Sequence, residues 1–177
     1  MNSRVKKLIR NIILISICVT FLFFRSGLYL SPIAAHKSSE RSIHYGPSTI
    51  IKIVDFSKGK YLLCKYDKWV SCNTVLRKGL FWRFGSGVFG FENNINEPVS
   101  FTWGISGMDL RLYGAINDKS IQRIEIVFSN GDKYYINDFY EGLFLLSLEN
   151  IKDDSIICKK VVGYNANHEV IYTAKSK

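Results

Sequence analysis

The sequence predicts an all-β fold, a β-sandwich or open β-barrel of about 10–12 short antiparallel strands preceded by one N-terminal transmembrane helix. Three observations predict it. After residue 30, short segments rich in Val, Ile, Tyr, Phe and Trp alternate with turn residues at intervals of roughly eight to twelve positions. Asn130-Gly131 is a strong hairpin signal between two of these segments. Ahead of them, Arg4, Lys6, Lys7 and Arg10 precede an uncharged, largely apolar run over residues 12–24, the pattern of an export or membrane signal.

Residues 1–30 read as a cytoplasmic tip and signal-anchor. The apolar run is 13 residues long, about 20 Å of helix against a hydrocarbon layer of about 30 Å. Arg10 and Arg25 at its ends lengthen the span by snorkelling. The basic cluster keeps the N-terminus inside and sends the chain out C-terminally. The expected location is therefore the cell membrane, single-pass, with the C-terminal part extracellular. A cleaved signal peptide is the alternative, although its best small-residue site, Ile33 and Ala35, lies well beyond Phe24 with Arg25 between.

Residues 31–48 (SPIAAHKSSERSIHYGPS) are polar, with two prolines and no sustained period, and read as a stalk. Residues 49–177 then form the exported domain. Its first strand spans 49–55, and the turn at 57–60 leads into 61–66. Asp67-Lys68 turns the chain into 69–76. Further strands are expected at 79–84, 88–92, 99–104, 110–116, 121–129, 133–136, 143–148, 155–164 and 169–173. Ile121, Ile124, Ile126 and Phe128 mostly alternate with polar neighbours, which suits a half-buried antiparallel strand.

The formal net charge is +9, but the first 30 residues carry five basic residues and no acid, leaving +4 for the rest. The exported part is mildly basic and not a polycation. Export removes nucleotides and nucleic acids from the expected partners. The membrane, another protein and a cell-wall polymer remain.

Several motifs have plainer explanations than chemistry. Gly85-Ser86-Gly87-Val88-Phe89-Gly90 matches G-x-G-x-x-G, but the stretch from Phe91 to Pro98 cannot open the helix that a dinucleotide site requires. Glycines at strand ends explain it better. Cys64 and Cys72 lie on the two arms of one hairpin, and a three-residue connection would set them opposite, so a disulfide is one expectation and buried thiols the other. His36, His44 and His168 show no ligand spacing with the cysteines, so no metal site is expected. The chain has no G-x-S-x-G elbow, and Asp118, Asp132 and Asp138 suit turns. No catalytic or cofactor-binding residue is assigned. Trp69, Trp82 and Trp103 are candidate interaction aromatics, against the commoner role of aromatics as core.

His44-Tyr45-Gly46-Pro47-Ser48, residues 59–74 (GKYLLCKYDKWVSCNT) and residues 163–172 (GYNANHEVIY) resemble a family of small, uncharacterised proteins of Gram-positive spore-forming bacteria. The resemblance implies one N-terminal membrane segment, a short stalk, the H-Y-G-P-S motif and a β-rich exported domain. It implies no activity, ligand or catalytic residue. The expected function is a membrane-anchored, non-enzymatic binding or interaction module at the cell envelope, with an exported hydrolase or transferase as the alternative.

Overall fold

The computed structural model describes residues 3–85, 90–106, 109–151 and 155–175. Two helices precede twelve strands, α1 (Ser3–Arg25) and α2 (Pro32–Ser42), then β1 (Thr49–Phe56), β2 (Gly59–Tyr66), β3 (Trp69–Lys78), β4 (Phe81–Phe84), β5 (Gly90–Glu92) and β6 (Val99–Ser106). The chain continues through β7 (Asp109–Ile116), β8 (Arg123–Phe128), β9 (Lys133–Ile136), β10 (Leu143–Leu148), β11 (Cys158–Tyr164) and β12 (Val170–Lys175).

The strands form three antiparallel sheets. The first runs β1-β2-β3-β4 with β5 also on β3, the second β10-β7-β6, and the third β12-β11-β8-β9. Strand periodicity stacks them, because successive side chains leave on opposite faces. On β7 and β10, Leu110, Leu112 and Phe144 enter a core with Ile124, Ile126, Phe128 and Val161 of the third sheet. Their neighbours Tyr113, Ala115 and Leu143 enter another with Tyr61, Leu63, Val70 and Cys72 of the first. The second sheet is thus the middle of three layers, with apolar side chains on both faces and buried Asp109 and Arg111 among those turned to the first sheet.

Two features hold the middle layer. Gly114 allows the close approach of Phe144, since a Cβ there would lie 2.2 Å from Ser100 O and 2.8 Å from the Phe144 ring. Arg111, 8 % exposed, reaches across to the first sheet, donating to Cys72 O at 3.0 Å and Thr74 Oγ1 at 2.5 Å. Its guanidinium lies 5.5 Å from the centre of the Tyr61 ring. Burial pushes the Tyr61 phenol up to about 12, with Arg111 pulling the other way.

The anchor expectation is corrected. Among the described residues no helix is long and apolar enough to cross a membrane. Arg4, Lys6, Lys7 and Arg10 lie inside α1 and take up its first turns, so the uncharged part is too short for the hydrocarbon layer. The single-pass anchor, and the location built on it, are not supported. The stalk expectation also changes, because residues 32–42 are helical and packed against β3 and β4.

Candidate binding cleft beside the second helix

Ser31 caps α2, its Oγ accepting from Ala34 N at 3.1 Å, and Pro32 comes next in the first turn, where the missing N–H costs nothing. The face turned to the sheet consists of Ala35, His36, Ser39 and Glu40, all buried. Ala35 packs with Leu62, Cys64 and Val75. Tyr29 fixes the approach to the helix by pairing its backbone with Trp82, 2.7 Å and 2.8 Å in the two directions, and by bonding its hydroxyl to Ser38 Oγ.

The segment 44–48 folds back over the end of α2. Tyr45 N donates to Glu40 O at 3.0 Å. The Glu40 carboxylate accepts from Ser48 N at 3.2 Å and from the Ser48 hydroxyl. Gly46 has φ +99°, and a Cβ there would lie 3.0 Å from that carboxylate, so the turn requires glycine on two counts.

His36 occupies the centre, 1 % exposed. Nδ1 lies 2.7 Å from Asn73 Nδ2, while Nε2 faces Glu40 Oε1 at 3.3 Å, Ser48 Oγ at 3.4 Å and Cys64 Sγ at 3.8 Å. The carboxylate assigns the tautomer. A lone pair facing Glu40 would be repelled, so the proton sits on Nε2 and Nδ1 accepts from Asn73. Burial lowers the His36 pKa, Glu40 opposes that and Lys37 adds to it, so the ring is neutral near pH 7 and its 3.3 Å approach to Glu40 is that of a neutral imidazole to a carboxylate. Asn73 Oδ1 is buried without a partner.

These residues bound a cleft of about 590 Å³ lined by His36, Lys37, Glu40, Arg41, His44, Tyr45 and Ser48, among others. Its floor is spoken for, since Glu40 and Ser48 bind each other and His36 binds Asn73 and Glu40. Its rim is cationic. Lys37, Arg41 and His44 are exposed, and among the described residues no carboxylate pairs with Lys37 or Arg41. Cys64, next to the floor, is fully buried, and that burial pushes its thiol up to about 12, which makes it a poor nucleophile.

The residues singled out in the sequence lie elsewhere or apart. Asp67-Lys68 is a two-residue turn, so Tyr66 faces Trp69, Cys64 faces Ser71 and Cys72 faces Leu63. A one-residue offset sends the two thiols to opposite faces of the sheet, and both are free. Cys64 packs under α2, and Cys72 packs between the first two sheets. Trp69 opens β3 opposite Tyr66 and Glu92. Trp82 packs under α2, with Lys60 Nζ 5.8 Å from its ring centre. Trp103 packs on the core between the second and third sheets. The three tryptophans form no common surface. Residues 86–89 of the glycine-rich motif lie outside the described residues. Among the described residues no group of three His, Cys, Asp or Glu side chains is placed to hold a metal.

Ser48 closes the H-Y-G-P-S motif and Asn73 lies in the quoted stretch 59–74, but nothing in the sequence joins them to His36 and Glu40, although one signal is present. Ser31-Pro32 is a helix start, and positions 35, 36, 39 and 40 recur at helical spacing. Compared with protein-family models, curated proteins and solved structures, the chain matches no family model, no curated protein and no solved structure.

Proposed function

We propose that this chain is a non-enzymatic binding module and that the cleft beside α2 is its recognition surface, taking a protein or polymer partner through anionic groups. One observation carries this reading. Every acid and base on the cleft floor is bonded to a neighbour, whereas Lys37 and Arg41 on the rim are exposed and, among the described residues, paired with no carboxylate. Cations held around a recess and turned away from the chain's own carboxylates attract anionic groups. Glu40 does not cancel them, because its carboxylate is directed inward to Ser48 and His36.

A hydrolase using Ser48 is the second reading, favoured by the 3.4 Å approach of Ser48 Oγ to His36 Nε2. Against it, Nε2 carries the proton, so the imidazole is not the base, and the Ser48 hydroxyl donates to the Glu40 carboxylate, a far weaker base than an imidazole. Fluorescence titration with polyglutamate and with polyglycerol phosphate separates these readings and the two sources of anionic charge. Binding of either polymer is expected, weakened about tenfold by Lys37→Ala with Arg41→Ala. Equal binding by wild type and double variant overturns the proposal. Ester hydrolysis abolished by Ser48→Ala would favour the hydrolase.

A further inference from the structure

A second recess, of about 360 Å³, opens between β6 at the edge of the second sheet and β12 at the edge of the third, and it shares no lining residue with the cleft beside α2. Its wall is aromatic. Phe101 and Trp103 leave β6 on the face that packs against the third sheet, and Tyr172 of β12 packs against the same core. The Tyr172 hydroxyl donates to Val99 O at 3.1 Å, which fixes that ring. A volume of this size falls in the range of small-ligand sites, about 300–1,000 Å³.

Two opposite charges, Glu97 and Lys175, border the wall. Glu97 precedes β6 in a tied loop. Its N–H donates to Asn94 O at 3.0 Å, and Asn117, just after β7, donates through Nδ2 to Glu97 O at 2.8 Å and to Asn94 O at 3.0 Å. Asn117 and Asn93 also exchange side-chain amide bonds, at 2.9 Å and 3.1 Å. A loop fixed in this way by its scaffold presents its side chain at a set place. Burial raises the Tyr172 phenol and the Glu97 charge adds to it, so the carboxylate lies towards the Tyr172 end of the recess. Lys175 is three residues further along β12, about 10 Å away at a strand's rise per residue. Both charges are exposed, and among the described residues neither has an ion-pair partner, whereas Lys60 with Asp55, Lys68 with Glu92 and Lys133 with Glu125 meet directly.

We propose that this recess binds a short peptide with free termini, its ammonium at Glu97, its carboxylate at Lys175 and its residues along Phe101, Trp103 and Tyr172. The separation of the charges selects the length. Three extended residues span about 10 Å, whereas a single amino acid cannot reach both charges and a long chain reaches them only by folding back. The signs select the class. A terminus of a folded protein supplies one of the two charges and an uncharged saccharide neither, while a zwitterion of matching length complements both. The rings supply the apolar contact for the peptide between its ends. Each exposed ion pair contributes little alone, but joining both charges in one molecule makes the second contact intramolecular. The cleft beside α2 carries only cations on its rim and offers no such pair, so the two sites stand or fall separately.

Amide chemical-shift titration of the full chain with trialanine, N-acetyl-trialanine and trialanine amide tests the site. Trialanine is expected to move the amides of Phe101, Trp103, Tyr172 and Lys175, and each blocked peptide to bind about fivefold more weakly. Glu97→Gln is expected to weaken trialanine about fivefold and to leave N-acetyl-trialanine unchanged, because the contact it removes is already missing there. Lys175→Met is expected to do the same with the amide. A misfolded variant would instead lose all three peptides alike. No shift at these residues with about 20 mM trialanine overturns the proposal, and so does equal binding of the free and blocked peptides. Maltotriose binding as tightly as trialanine would also overturn it, since the rings alone would then account for the site.

Discussion

His36 Nδ1 and Asn73 Nδ2 meet at 2.7 Å although 37 residues separate them, one on α2 and the other on β3. This contact joins the segment before the first strand to the centre of the first sheet, and its strength depends on the imidazole staying neutral. Burial holds the His36 pKa below 6.5, against an upward pull from Glu40 and with a downward one from Lys37. The native state then binds fewer protons than the unfolded chain, whose histidine titrates near 6.5. Stability from this site is full above that value and declines as pH falls towards the lowered native one. Hydrogen exchange over residues 32–48, corrected for intrinsic rates, is expected to quicken as pH falls below about 6.5, and His36→Gln is expected to flatten the dependence. Glu125 occupies a separate window. Its carboxyl is held low chiefly by the Tyr164 hydroxyl, opposed by desolvation and aided by Lys133. That contribution is present above 4.5 and lost below it.

The cysteines should differ sharply in reactivity. Burial raises the Cys64 and Cys72 thiols to about 12 and Cys158 to about 11, whereas Cys18 is exposed on α1. A thiol reagent near neutral pH is expected to label the folded protein once, at Cys18, and the denatured protein four times without prior reduction. Intact-mass spectrometry reads both numbers. Two labels after denaturation would mean a disulfide and would overturn the register of β2 on β3.

Arg111 is a buried polar tie between the first two sheets. Arg111→Ala removes its bonds to Cys72 O and Thr74 Oγ1 and its packing on Tyr61. The expected cost is about 2–4 kcal/mol, from lost hydrogen bonds to a charged donor and a cavity between layers. Arg111→Met, which keeps an unbranched stem, is expected to recover part of it. Urea denaturation of both variants gives the comparison.

Gly114→Ala tests the spacing within the middle sheet. The added methyl would lie 2.2 Å from Ser100 O and 2.8 Å from the Phe144 ring, and neither neighbour has open space. A loss of about 1–3 kcal/mol is expected, as for other overpacked sites. Gly131→Ala loses less by contact, since nothing lies within 4 Å of its added methyl, and its cost comes from φ +91°.

The strand pattern is legible because strands declare themselves locally. Asn130-Gly131 does turn β8 into β9, and β10 stands out as uncharged because both its faces are covered, whereas β7 carries Asp109 and Arg111, both buried. The third layer is harder to read, since alternation reports which residues are buried and not what buries them. The cysteine register turns on a single residue, as Asp67 adopts φ 53° in a two-residue turn where a disulfide would need three. Helix α2 is hidden for a physical reason. The hydrophobic period detects helices that bury apolar residues, and α2 buries histidine, serine and glutamate with one alanine. Their partners, Asn73 and Cys64, come from strands, and only the fold brings them together. The N-terminal run fails as a span on length, because apolar composition without enough residues does not cross the hydrocarbon layer.

The cleft formed by α2 and the segment 44–48 is, on this account, where a partner binds. Backbone amide chemical shifts recorded while polyglutamate is added to the folded chain test it most directly. The expected result is movement concentrated at His36, Lys37, Glu40, Arg41, His44, Tyr45, Gly46, Ser48 and Ile50, which line the cleft, and suppressed in the Lys37→Ala, Arg41→Ala variant. Shifts centred on another face of the molecule, or none at saturating polymer, would contradict it.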